Sequence, residues 1–158
     1  MDITFHCDSS TFNYRVCAMI LQDGKILAMH DERSPYYYLP GGRVAVGETA
    51  EEAVIREVKE ELHVETKILR PLWLNQAFFT EDVNKQRYHE LCVYFLMDIS
   101  GTDLLCRGNS FSVREGSRTH LFEWLPYEQL QKEYFYPLFL KTDIFHLPET
   151  FTLRTERE

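Results

Sequence analysis

Two periods of apolar residues organise this chain. Residues 14–21 are a β-branched and apolar run, residues 26–30 are apolar again, and Gln22-Asp23-Gly24-Lys25 lies between them. Asp-Gly between two apolar runs signals a hairpin. Residues 36–39 read as a short strand. The period then lengthens. Val54, Ile55, Val58 and Leu62 recur at helical spacing, and residues 50–62 contain no Gly or Pro. Thr49 is an N-cap candidate, with Glu52 three positions on to complete a capping box. Further along, residues 66–79 read as one long or broken strand and residues 88–99 as another. Residues 100–117, rich in Gly, Ser, Asn and Arg, read as an unusually long loop. A strand over 121–125 and short helices over 126–133 and 137–143 follow. The charged tail from about residue 148 is expected to fray. The pattern predicts a single α+β domain over residues 1–158, with a mixed β-sheet between helices.

Polar residues make the helix more than a packing element. Glu57, Glu60 and Glu61 sit at i, i+3 and i+4, which a helix of 3.6 residues per turn places on one face. The apolar stripe is centred about 100° away, so the acidic face borders a packed surface. Three adjacent like charges require open water or cations among them. Oxygen-only ligands suit a hard divalent ion, Mg²⁺ or Mn²⁺, better than zinc. Arg56, on the flank of Glu60, is placed to pair with a carboxylate. Upstream, Leu39-Pro40-Gly41-Gly42 and Gly47-Glu48 lead into the helix. Paired glycines permit close approach of backbone to a ligand, and Glu48 can reach the same end of the site.

These residues resemble the signature of a known family. Gly42, Glu48, Arg56-Glu57-Val58, Glu60-Glu61 and Val64 fall at the offsets of the box of the Nudix (MutT-like) hydrolases. The box spans residues 42–64. One defined position departs: the family's glycine near the helix end is His63, which tolerates the left-handed conformation of a helix C-cap better than most residues. The lead-in at Leu39-Pro40-Gly41-Gly42 and Glu123-Trp124-Leu125-Pro126 extend the resemblance over most of residues 10–145.

The resemblance implies an α/β/α sandwich and a metal-dependent pyrophosphohydrolase of nucleoside diphosphates linked to another group. ADP-ribose, nucleotide sugars, dinucleoside polyphosphates and nucleoside triphosphates are all within that class. It implies Glu57, Glu60 and Glu61 as metal ligands, with Glu48 supporting the site and taking part in metal binding. Gly41 and Gly42 would approach the substrate. For a fourth carboxylate, as ligand or base, Glu115 and Glu90 are rivals. Arg15, an arginine between apolar residues in the first core strand, must find a partner, and so must Arg43. A substrate phosphate or a structural carboxylate would serve either one. Tyr38 is the candidate among Tyr36, Tyr37 and Tyr38 for contact with the substrate, since alternate faces leave at least one of the three exposed. Arg107, Arg114 and Arg118 would make the long loop a basic lid. Members of such a family are often dimers, so a homodimer is among the implied partners. Two other readings stand beside the hydrolase: a non-catalytic nucleotide-binding sensor, and an enzyme of another type such as an isomerase.

Charge and cysteine content narrow the classes. The formal net charge is −8, which argues against duplex nucleic acid or anionic membrane as a bulk electrostatic partner. No apolar run reaches the roughly 18 residues that span a bilayer. The start, Met1-Asp2-Ile3-Thr4-Phe5, lacks a signal-like pattern, so a cytoplasmic location is expected. Cys7, Cys17, Cys92 and Cys106 form no CxxC pair, and neither a zinc site nor a cysteine nucleophile has supporting spacing.

Overall fold

The computed structural model describes all residues from Met1 to Glu158. Ten strands and two α-helices make up its regular structure. They are β1 (Thr4–Cys7), β2 (Ser10–Met19), β3 (Leu21–Gln22), β4 (Lys25–His30), β5 (Gly41–Arg43), α1 (Ala50–Leu62), β6 (Lys67–Thr80), β7 (Arg87–Asp98), β8 (Ser110–Glu115), β9 (Arg118–Pro126), α2 (Leu140–Asp143) and β10 (Thr152–Arg157). A six-stranded mixed sheet runs β1-β2-β7-β6-β10, with β5 also paired to β2. Within it β2 and β7 are parallel, as are β6 and β10. A second sheet, β3-β4-β9-β8, completes the core. No helix is long and apolar enough to cross a membrane.

Strand alternation builds two layers of core. Val16 and Ala18 of β2, Ile20 just after it, and Val93, Phe95 and Met97 of β7 share a core with Val54, Val58 and Leu62 of α1. The intervening Cys17, Met19, Cys92 and Tyr94 face Leu130, Leu140 and Ile144 on the opposite side. Period two on the strands thus puts the sheet between helices, as the pattern predicted. Helix α1 starts at a complete capping box: the Glu52 N–H donates to Thr49 Oγ1 at 3.1 Å, and the Thr49 N–H donates to Glu52 Oε2 at 2.9 Å. It ends at His63, whose φ of 56° is left-handed.

Three expectations need correction. Residues 100–117 are not a loop: they hold a 3₁₀ turn at Leu104–Arg107 and strand β8, which forms a hairpin with β9. The proposed basic lid is therefore absent. Arg107 pairs with Asp103 and donates to the Leu62 carbonyl at the end of α1, Arg114 donates to the Gly116 carbonyl, and Arg118 pairs with Asp31. The tail is not frayed, because β10 pairs in parallel with residues 73–78 of β6. Residues 36–39 form only isolated bridges, Met29 with Tyr38 and Tyr37 with Phe135. For residues 100–117 a local hairpin decided the outcome, and for the tail a long-range edge pairing did.

Candidate active site

Helix α1 and strand β5 place the carboxylates. Glu61 is 5% exposed, buried on α1 as are Ala53, Val58 and Leu62. Its Oε1 accepts the Gly41 N–H at 3.0 Å. Burial pushes its carboxyl well above the ordinary value, opposed by the Gly41 bond and reinforced by Glu57 and Glu115. Glu57 is also raised by burial, with Arg56 working against the shift and Glu60 adding to it. Glu60 is the most exposed of the three, its side chain 46% accessible.

Arg56 sits among these acids. Its Nη1 lies 2.9 Å from Glu57 Oε1 and 3.3 Å from Glu60 Oε2. Its Nε and Nη2 form a fork onto the two oxygens of Glu48, at 2.6 and 3.0 Å, and Nη2 also reaches the Arg43 carbonyl. Glu48 Oε2 takes the Ala45 N–H as well. Glu48 is thus spent on Arg56 and the loop, and it touches the acidic face through the guanidinium rather than directly. No three carboxylates converge on one point, and Arg56 holds the central position.

The glycines are there for space. A Cβ on Gly42 would lie 2.3 Å from Glu57 Oε1, and one on Gly41 would lie 2.1 Å from the Val16 carbonyl oxygen. Only glycines let β5 pass between the helix carboxylates and β2.

The donor set fits a hard divalent ion. It is all oxygen, and buried Glu61 and half-buried Glu57 are raised by desolvation, with Glu57 adding to the rise of Glu61, an electrostatic cost that a cation would remove.

On the other side of β5 lies a cavity of about 500 Å³. Arg15, Tyr38 and Arg43, the sequence candidates for substrate contact, line it. Arg15 joins the two regions. It lies 4.0 Å from Glu90 Oε2, and it is near enough to Glu57 and Glu61 to lower both. Its Nε is buried and unpaired. Arg43 donates to Asn13 Oδ1 at 3.1 Å and pairs loosely with Asp2 at 3.8 Å. The Tyr38 hydroxyl donates to Asp31 at 3.2 Å.

The two rival carboxylates are separated. Glu115, at the end of β8, faces Glu61 and bonds His120 Nε2 at 2.8 Å. Glu90 lies in the cavity, accepting from Asn13 Nδ2 at 2.9 Å. Sequence reasoning did not find Asn13, Asp31, Asn75 or His120. The pattern Asn13-x-Arg15 on one strand face was a usable signal for the first.

Comparison with known proteins agrees with this geometry. The chain is 35% identical over 92 residues to an ADP-ribose pyrophosphatase of Methanocaldococcus jannaschii, covering 56% of this chain and 52% of that protein. It is 30% identical over 121 residues to putative nudix hydrolase 1 of Caenorhabditis elegans, covering 63% of this chain and 33% of that one. The chain therefore spans about half and a third of the lengths of these relatives. A crystal structure of an ADP-ribose pyrophosphatase from Streptococcus suis superposes with a TM-score of 0.58 at 19% identity, covering 90% of this chain and 98% of that one, which shows a shared fold. The NUDIX domain model matches residues 11–141, most of the sheet together with α1, and the chain belongs to the NUDIX family.

Proposed function

We propose that this protein is a divalent-metal-dependent pyrophosphohydrolase of nucleoside diphosphate derivatives. The observation that carries the reading is buried Glu61 with half-buried Glu57 and exposed Glu60 beside it, held against β5 and connected by Arg15 to a cavity large enough for a nucleotide. Glu57, Glu60 and Glu61 would hold Mg²⁺ or Mn²⁺, which supplies neutralisation of phosphate charge and activation of water. Arg56, fixed by Glu48, sets the rotamers of Glu57 and Glu60. Arg15 binds a phosphate through its unpaired Nε. Glu115, next to Glu61 and held by His120, is the fourth carboxylate, positioned to take a proton from the attacking water. The water oxygen bonds phosphorus, the bridging anhydride bond breaks, and two phosphate monoesters leave. We assign Glu90 to the cavity rather than to the metal face.

The name of the archaeal relative makes ADP-ribose the first substrate to try. The test is a panel of ADP-ribose, nucleotide sugars, dinucleoside polyphosphates, NADH and nucleoside triphosphates with Mg²⁺ and with Mn²⁺. Turnover of at least one is expected. Glu60→Gln and Glu61→Gln should lower kcat on the order of 10²-fold or more, since each removes a ligand that stabilises transition-state charge. No turnover of any compound, or unaffected variants, sinks the reading in favour of a non-catalytic nucleotide sensor. A sensor has no use for the repulsion stored between Glu57 and Glu61.

A further inference from the structure

Register across the large sheet gives the cavity two unlike ends. One row of side chains on its floor runs Arg15 (β2), Cys92 (β7), Asn75 (β6); the next runs Asn13, Glu90, Ala77, Glu156 (β10). All of these line the cavity. Crossing from β2 to β10 therefore passes from an arginine to carboxylates.

The far end is made of acceptors. Asn75 is 1% exposed, and its Oδ1 has no hydrogen-bond partner. Its Nδ2 faces Glu156 Oε1 at a long 3.4 Å, which fixes the amide with its oxygen free. Glu156 Oε2 is occupied by the Phe139 N–H at 3.0 Å, so Oε1 has spare capacity. Arg154, the cation that shares Asn75's row, pairs with Asp143 through Nη1 and lies over the Phe139 ring, while its Nε is buried without a partner. Of the other acids at this end, Glu81 is engaged by Tyr36 and the N–H groups of Val83 and Asn84, and Asp82 by Tyr134 and Tyr136, while Glu158 lines the cavity beside Glu156 and adds a further acceptor. A buried acceptor left unpaired is unfavourable, and a ligand donor would satisfy it. Phe79 and Tyr88, stacked at 5.2 Å, add a flat aromatic wall suited to a planar group.

We infer that Asn75 and Glu156 form a nucleobase subsite that requires a base with an exocyclic amino group. Adenine, guanine and cytosine carry one, and its two N–H donors can serve both acceptors; uracil and hypoxanthine offer a single ring N–H there. Two strand spacings, roughly 10 Å, separate Arg15 from Asn75, a gap that a nucleoside spans with its phosphate at the arginine. Strand β10, which carries Glu156, lies beyond the residues matched by the family model, whereas Asn75 lies within them. The inference rests on the cavity being the nucleotide site of the proposed hydrolase. Its test needs no catalysis.

Binding of AMP, CMP, UMP and IMP to the full chain, measured by calorimetry without divalent metal, separates the two readings. AMP and CMP should bind about tenfold or more tighter than IMP and UMP. Asn75→Leu, close in volume and without the acceptor, should erase the preference while phosphate-dependent affinity persists. Glu156→Gln should reduce it several-fold, and carries the test if Asn75→Leu does not fold. Equal affinity for the four nucleotides, or an unchanged preference in Glu156→Gln and in folded Asn75→Leu, overturns the subsite and leaves the hydrolase reading standing.

Discussion

The two faces of the central sheet gather polar residues by different means. On the α1 side, the acids and their arginine all lie within residues 56–61, and helix geometry alone brings them together. On the cavity side, Asn13, Arg15, Glu90, Asn75 and Glu156 come from four strands, and only register brings them together. Their stored costs differ too. The helix face holds like charges against one another, so its affinity is for a cation. The sheet face holds polar atoms without partners, so its affinity is for complementary donors and acceptors.

The sharpest way to break this comparison is to compare the two glycines between the faces. Gly42→Ala should cost turnover on the order of 10²-fold with little change in melting temperature, because its Cβ would push the Glu57 carboxylate aside. Gly41→Ala meets backbone instead, the Val16 carbonyl, and should cost about 1–3 kcal/mol of stability in a urea melt. If Gly42→Ala keeps full activity, the placement of the helix carboxylates is not what limits the reaction.

A smaller effect tests the rim of the cavity. Burial would raise Asp31, but the Arg33 N–H, Arg118 and Tyr38 hydrogen bonds outweigh it and hold the carboxyl below its ordinary value. A depressed folded pKa gives stability that is complete above the unfolded pKa and lost as pH falls through the folded one. Asp31→Asn should therefore lose about 1 kcal/mol at pH 7, the half-exposed Arg118 contributing little. The gap to wild type should close as pH falls below the usual carboxylate range. Denaturant melts at pH 7 and pH 3 measure it, and a constant gap would refute the linkage.

The smallest effect lies at the helix end. His63→Gly relieves a left-handed φ of 56° and should gain up to about 1 kcal/mol in thermal melts. Turnover should be unaffected, because the strain is at the cap and not at the acids.

The parts read best from sequence were those with short-range causes. The capping box, the left-handed His63 and the helix bearing Glu57, Glu60 and Glu61 each follow from residues within a few positions of one another. The hairpin at Asp23-Gly24 formed with both residues at positive φ, for the same reason. Where composition stood in for pairing, the reading failed. Residues 100–117 became a turn and a strand because β9 offered an edge, and the tail became β10 because β6 did.

The sequence by itself determined the acidic helix, the glycines that let β5 approach it, and the family they mark, because side chains three and four apart on a helix are neighbours in any fold that keeps the helix. Tertiary structure alone decided that Glu61 is buried, that Glu48 is spent on Arg56, that Glu115 and not Glu90 faces Glu61, and that Asn75 meets Glu156. The first three depend on how α1 docks on β5 and β8, and the last on strand register between segments far apart in the chain, where a shift of one residue would turn each side chain to the opposite face.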